Sequence, residues 1–250
     1  NIRLLDGAGD PDRVNGAITL ANITASQISA RNFGTSAGSD ISVRASGVLT
    51  ASGSGRAIDL ASLNGEVINL HGDAGLILTG GGHYGIFAAT PTGSQIGSFA
   101  NYARRYNVAN ASAYDALNPG GNFAAFRIAP VLTVTADNIT RFYGNLTPGL
   151  TASFAGFLPG DSIADLLGAA ELTTLANGTS GVGLYAINAA LGTLLSEQGY
   201  QFSFNPGQLT VIPRPITVAA NNLSRIYGNA NPALTFSVSG LGLVNGDQLT

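Results

Sequence analysis

The sequence predicts an all-β protein. It reads as the end of a right-handed parallel β-helix with an aromatic-rich cap, followed by small antiparallel β-sandwich modules. Three observations lead there. The first 80 residues are short alternating apolar runs set between Gly, Ser, Asn and Asp, and aromatic residues gather between His83 and Arg127. Beyond residue 130 one stretch of sequence is written twice. No segment carries the long 3.6-residue period of an amphipathic helix.

The first region, residues 1–82, contains Ile41–Arg44, Gly47–Thr50, Ala57–Leu60, Glu66–Leu70 and Leu76–Leu78. Each run is too short for a helix and alternates apolar with polar side chains, the period of a strand with one buried face. Turn residues recur at a spacing that suits the rungs of a parallel β-helix, whose successive coils stack their apolar positions into a narrow core. A sandwich would carry longer strands and firmer hairpin signals.

Residues 83–128 hold Tyr84, Phe87, Phe99, Tyr102, Tyr106, Tyr114, Phe123 and Phe126, with Arg104, Arg105 and Arg127 among them. A solenoid exposes an apolar end and needs a terminal cap, which these rings can provide. The alternative is a ligand surface of Tyr faces and Arg forks, formed by Tyr102, Arg104, Arg105, Tyr106 and Tyr114 and suited to a polysaccharide.

Leu132–Gly156 and Ile216–Gly240 are identical at about half their positions, far above chance, so they form an internal repeat. Arg141, Tyr143 and Gly144 answer Arg225, Tyr227 and Gly228 at a step of 84 residues. With two residues inserted in the second copy, Gly160-Asp161 answers Gly246-Asp247. The first module is placed at 129–213, with strands at Val131–Ala136, Leu150–Phe154, Glu171–Leu175, Val182–Asn188, Tyr200–Phe204 and Gln208–Ile212. Only Ser162–Ala170 reads as a helical turn or two, with Asp161 or Ser162 as N-cap. Pro213 and Pro215 stiffen the junction to the second module, 214–250, because each fixes φ and biases its predecessor to extended geometry. If the period holds, that module's remaining strands fall past Thr250, and the polypeptide is expected to continue beyond it.

The Arg-Phe-Tyr-Gly-Asn turn at 141–145, the Gly160-Asp161 corner and the closing Gly-Gln-Leu-Thr-Val strand at 207–211 resemble the MBG repeat. Residues 1–130 resemble the β-helix end and cap that precede such repeats in large surface proteins of the filamentous-haemagglutinin type. That resemblance implies a two-partner-secreted exoprotein of a Gram-negative bacterium, located at the cell surface or released. It also implies an outer-membrane transporter as secretion partner. Arg141, Tyr143, Gly144, Asp161, Arg225, Tyr227, Gly228 and Asp247 are then the residues that define the repeat.

Composition bounds the function. Charged residues make up 10% of the chain, against about 25% in ordinary soluble domains. A net charge of −3 with no basic block argues against nucleic acid or an anionic membrane as partner. The 45% apolar content and its alternation separate the chain from disordered sequences. Cysteine is absent, which removes disulfides, Cys-zinc sites and thiol nucleophiles. No apolar run approaches the roughly 18 residues of a membrane span.

The remaining constellations point away from chemistry. Asp6, Asp10 and Asp12 lie in a Gly-rich loop, but their spacing fits neither an EF-hand nor a GGxGxD calcium repeat. His71 and His83 have only Asp73 nearby, short of a metal set or a catalytic triad. Asp161 and Asp165 would share a helical face as glycosidase carboxylates do, yet Asp161 recurs as Asp247 at an element corner. Asn-x-Ser/Thr triplets at Asn22, Asn138, Asn145, Asn177 and Asn222 sit in turns, and a bacterial origin argues against glycosylation. A β-helix polysaccharide lyase or hydrolase needs clustered acids beside Lys or Arg on one face, whereas Asp40, Asp59, Glu66 and Asp73 are scattered in the sequence. The expected function is a non-enzymatic, cofactor-free stalk and presentation segment of a secreted adhesin.

Overall fold

The computed structural model describes residues 2–6, 16–34, 38–97, 102–117 and 120–249. Phe99, Asp10 and Asp12 lie outside the described residues. Among the described residues strand predominates, at 42% against 5% helix, so the protein is all-β.

The first ten strands are β1 (Ile2–Asp6), β2 (Ile18–Leu20), β3 (Ile23–Ala25), β4 (Ile28–Asn32), β5 (Ile41–Val43), β6 (Leu49–Ala51), β7 (Arg56–Ser62), β8 (Val67–Asn69), β9 (Leu76–Leu78) and β10 (His83–Ala88). They fall in rotation into three parallel sheets: β1, β4, β7 and β10 in the first, β2, β5 and β8 in the second, and β3, β6 and β9 in the third. Like residues stack in register. Ile28 pairs with Ile58 and Ile58 with Tyr84, Ile18 with Ile41 and Ile41 with Val67, and Leu49 with Leu76. One buried cluster holds Ile28, Ile41, Leu49, Ile58, Leu60, Val67 and Ile86, nearly all at zero exposure. The runs are three to seven residues long, and each pairs in a different sheet from the run before it.

The turns between faces use small polar residues because their backbone groups are buried and need partners. Asn32, fully buried, donates its amide to the Gly16 carbonyl at 2.8 Å and accepts from the Gly34 N–H at 3.1 Å. Ser62 donates to the Ser39 carbonyl at 2.6 Å and accepts from the Gly65 N–H at 2.9 Å. A Cβ on Gly65 would lie 2.5 Å from the Ser39 carbonyl carbon, so only glycine lets those turns stack.

The aromatic segment extends this ladder. β11 (Ala103–Arg105) and β12 (Phe123–Phe126) add to the first sheet, β12 in parallel register with β10 and β11 with β12. A short helix, α1 (Ala111–Asp115), is N-capped by Asn110, whose side chain accepts from the Ala113 N–H at 2.9 Å. Tyr114 on α1 joins Ala61, Phe87, Val108, Phe123 and Ala125 in a second buried cluster, while Ile58, Leu60, Ile86, Ala124 and Phe126 belong to the first. Strands β7, β10 and β12 are therefore covered on both faces, the usual condition of a parallel sheet.

Two compact units divide the chain and interleave in sequence. The first comprises 1–132, 155–168 and 194–203, and the second 133–154, 169–193 and 204–250. Three elements of the repeat region lie wholly in the first unit: a single 3₁₀ turn at Ile163–Asp165 and the two short strands Leu166–Leu167 and Leu195–Ser196. In chain order the strands are β13 (Val131–Ala136), β14 (Ile139–Phe142), β15 (Ala152–Ala155), β16 (Leu166–Leu167), β17 (Glu171–Thr174), β18 (Gly183–Ala190), β19 (Leu195–Ser196), β20 (Gln201–Asn205), β21 (Gly207–Ile212), β22 (Ile216–Ala220) and β23 (Phe236–Gly240). The turn is N-capped by Ser162, in a capping box with Asp165.

The second unit contains a four-stranded sheet ordered β14-β21-β18-β17, with a small core of Ala136, Ala176, Ile187, Leu209 and Val211. Sequence patterning anticipates a purely antiparallel module. The structure corrects this: β14 runs parallel to β21 while β18 is antiparallel to both β21 and β17. The strand Ile139–Phe142 has no alternation strong enough to announce it, being held by its partner rather than by its own pattern.

The two copies of the repeat share their turn hydrogen bonds, although residues 223–226, the counterpart of β14, form no strand. Asp137 N–H donates to Thr151 and Asn221 N–H to Thr235; Asn145 N–H donates to Phe142 and Asn229 N–H to Ile226. Asp161 N–H donates to Leu158 and Asp247 N–H to Val244. Gly144 and Gly228 take φ of 79° and 86°, a left-handed conformation that explains the glycine in both Tyr-Gly turns.

Candidate functional site

Three constellations are candidates. The first is a groove of about 490 Å³ on the outer side of the first sheet, lined by Gln27, Ser29, Arg31, Arg56, Asp59, His83 and Asp115. Arg31 sends Nε to Asp59 at 2.6 Å and its two terminal nitrogens to Asp115 at 2.6 and 3.0 Å. Tyr114 donates its hydroxyl to Asp59 at 2.6 Å. Arg56 lies 4.4 Å over the Tyr114 ring, contacts Asp115 at 3.3 Å and donates to the Leu117 carbonyl at 2.9 Å. The hydrogen bonds from Arg31 hold the Asp115 carboxyl below the usual carboxylate range, and Asp115 in turn raises the guanidinium of Arg31. Burial, aided by Arg56, lowers His83 below its ordinary value, which favours the neutral ring.

Two arginines face two aspartates here, so the groove's charges balance internally. Arg31 favours the ionised form of Asp115. What this network does is pin α1 across the sheet. Sequence patterning missed it because Arg31 lies 28 residues from Asp59 and 84 from Asp115. The signal was the rung register: Ser29 stands beside Asp59, and alternation then puts Arg31 on the same outer face.

The second constellation centres on Asp161, whose side chain is fully buried. It accepts from Tyr106 and Tyr200 hydroxyls at 2.7 Å each and from Gln198 Nε2 at 3.0 Å, and pairs with Arg104 at 2.8 Å. Arg104 also donates to the Pro159 carbonyl at 2.6 Å. Around it Tyr106 stacks on Phe126 at 5.8 Å and meets Tyr200 edge-on at 4.9 Å. Tyr200, Phe157, Leu158 and Phe202 join the same cluster as Ile58, Ile86 and Phe126.

The third lies within the second unit. Asp247 accepts from the Tyr143 hydroxyl at 3.3 Å, and Val244 occupies the space where a side chain on Gly144 would go. Arg214 donates to Asn145 Oδ1 at 2.9 Å and to the Gly242 carbonyl at 2.9 Å, and it also contacts the Leu241 carbonyl.

Of the residues singled out as a ligand surface, Tyr102, Arg104, Tyr106 and Tyr114 are buried, and Arg105 is half-buried with its guanidinium on the Arg104 carbonyl. Rings packed edge and face against other rings have no open face for a sugar. Among the repeat residues, Arg141 is buried and donates to the Phe142 and Asn177 carbonyls, whereas Arg225 is exposed and reaches Asn229. Asp161 and Asp165 do not act as a pair: Asp165 accepts from the Ser162 N–H at 2.7 Å. His71 contacts the Gly47 carbonyl at 3.0 Å through Nδ1, and Glu66 is held by Thr90 and Ser94. Among the described residues no three His, Cys, Asp or Glu are placed to hold a metal, and no helix is long and apolar enough to cross a membrane.

Residues 132–210 and 216–250 match the MBG domain (YGX type). The repeat is an MBG repeat. Its Tyr-Gly-X is Tyr143-Gly144-Asn145 in the first copy and Tyr227-Gly228-Asn229 in the second. No curated protein and no solved structure matches the chain.

Proposed function

We propose that this chain is a non-enzymatic stalk and presentation segment of a large secreted bacterial surface adhesin, of the filamentous-haemagglutinin type. In this reading residues 1–132 are the end of a parallel β-helix, capped by the aromatic segment, and the MBG repeats follow as modules. The observation that carries it is the continuous parallel pairing of β1 with β4, β4 with β7, β7 with β10 and β10 with β12, with one register shift at His83/Tyr84. A ladder of that kind resists extension through backbone hydrogen bonds and stacked side chains, with no charged site required. MBG domains occur in surface and adhesin-type proteins, which supports the setting. Export by an outer-membrane transporter, and attachment to a polysaccharide or another cell-surface molecule, belong to the same reading and rest on the resemblance.

Pulling the whole chain by its ends in an optical trap tests it. Abrupt unfolding steps are expected. Smooth extension from the lowest forces, as a flexible linker gives, would overturn the stalk. Release of reducing ends from any polysaccharide by the purified chain would overturn its non-enzymatic character.

A further inference from the structure

The two Gly-Asp corners of the chain do the same thing in two different places. At the first corner, Leu158 to Asp161, the carboxylate takes a tyrosine hydroxyl from Tyr106, and Arg104 lies against Gly160. At the second, Val244 to Asp247, the carboxylate takes the hydroxyl of Tyr143, and Val244 sits over Gly144. Each corner is thus received by a tyrosine from the segment that precedes its own copy of the repeat. For the second copy the receiver is the Tyr-Gly turn of the first copy. The chain holds one more such turn.

That turn, Ile226–Asn229, is built like its counterpart, with the Asn229 N–H on the Ile226 carbonyl at 3.1 Å and Gly228 at φ 86°. Arg225 closes it further by donating to the Asn229 carbonyl at 2.5 Å. Tyr227 takes no part in this closure; its exposure is 101%, and Ile226 beside it is 76% exposed. Nothing lies within 4 Å of where a Cβ on Gly228 would be, and a hollow of about 420 Å³ bounded by Arg225, Ile226, Asn229 and Pro232 adjoins it.

We infer that the Tyr227-Gly228-Asn229 turn is a docking site whose occupant is the Gly-Asp corner of a further MBG repeat. A branched aliphatic residue three positions before the corner aspartate covers Gly228, which has no Cβ to obstruct it. The aspartate accepts the Tyr227 hydroxyl. The two corners of this chain are already engaged, by Tyr106 and Tyr143, so a second copy of the chain has none to spare and the occupant is the corner of another repeat. The Tyr-Gly of the family is, on this view, the receiving half of a joint between successive repeats. The inference stands on the repeat geometry and is independent of the adhesin reading.

The test titrates the isotopically labelled full chain with a synthetic peptide of the sequence of residues 241–249, which contains one free corner. Saturable amide shifts at Tyr227, Gly228 and Asn229 are expected, with a Kd on the order of 1 mM for so small a contact. They should weaken about tenfold when the peptide carries Asp247→Asn, the loss of one charge-assisted hydrogen bond. Tyr227→Ala in the chain should abolish them while leaving the melting curve unchanged, because the side chain is fully exposed. Silence at those amides at about 5 mM peptide, equal shifts with the asparagine peptide, or shifts that persist in Tyr227→Ala would each overturn the inference. None of these outcomes touches the stalk reading, which the pulling experiment decides.

Discussion

The first unit and the second are both nearly all strand, yet they are held together in different ways. In the first, parallel strands stack like on like, and side chains from Ile28 to Phe126 reach zero exposure over most of its length. In the second, the one buried cluster is small, and large apolar side chains such as Leu175 and Leu184 stay exposed. What repeats faithfully there is the turn chemistry: the Tyr-Gly turn and the Asp137/Thr151 hydrogen bond with its counterpart Asn221/Thr235. The comparison teaches that an all-β chain can secure itself by axial burial or by recurring local hydrogen bonds, and that low charge serves the former.

The sharpest way to break the comparison is at Tyr114. Its ring is fully buried, stacks on Phe87 at 5.1 Å, and its hydroxyl satisfies Asp59. Tyr114→Ala is expected to cost the first unit about 3–5 kcal/mol in denaturant unfolding, and Tyr114→Phe about 1.5–3, the cost of one hydrogen bond to a charged group. Equal losses from the two substitutions would show that the hydroxyl, not the ring, carries the site. The equivalent probe of the second unit is Leu209→Ala, in its smaller core. About 2–3 kcal/mol is expected, the low end for a buried leucine, because fewer neighbours surround the cavity.

Alkaline pH separates the units by a different route. Among the described residues the five buried tyrosines, Tyr84, Tyr102, Tyr106, Tyr114 and Tyr200, all belong to the first unit. Burial pushes Tyr84 and Tyr200 up to about 12. A folded value above the unfolded one, about 10, means the stabilisation is complete below pH 10 and drains as pH climbs toward 12. A melting transition of the first unit that falls between pH 10 and 12 is expected, followed by tyrosinate absorbance. The smallest expected effect is at Tyr227: Tyr227→Ala should change stability by less than about 0.5 kcal/mol, and a larger loss would mean the exposed turn is supported from its own module.

Much of the fold was readable from the chain. The strands Ile41–Val43 and Val131–Ala136 announce themselves because alternation reports a strand with one buried face, and those strands have one. The twin turns at Gly144 and Gly228 were equally plain, since a left-handed backbone leaves few residue choices. What alternation could not report was the outer face of the first sheet. There β7 is buried on both sides, and Asp59 looks like an ordinary exposed acid until Tyr114 and Arg31 arrive from 55 and 28 residues away.

By itself, then, the sequence determined an all-β chain, a stacked N-terminal region, and a repeat with its turns and corners, because each depends on neighbours within a few residues or on one strand period. Only the tertiary structure decided what the charged and aromatic side chains are for. Tyr106 and Arg104 could have faced solvent and a sugar. They face Asp161 instead, because a carboxylate buried at zero exposure needs donors, and the fold brings four to it from residues 104, 106, 198 and 200. Such distances in sequence carry no local signature. Only the packing of the first unit brings these donors to one carboxylate.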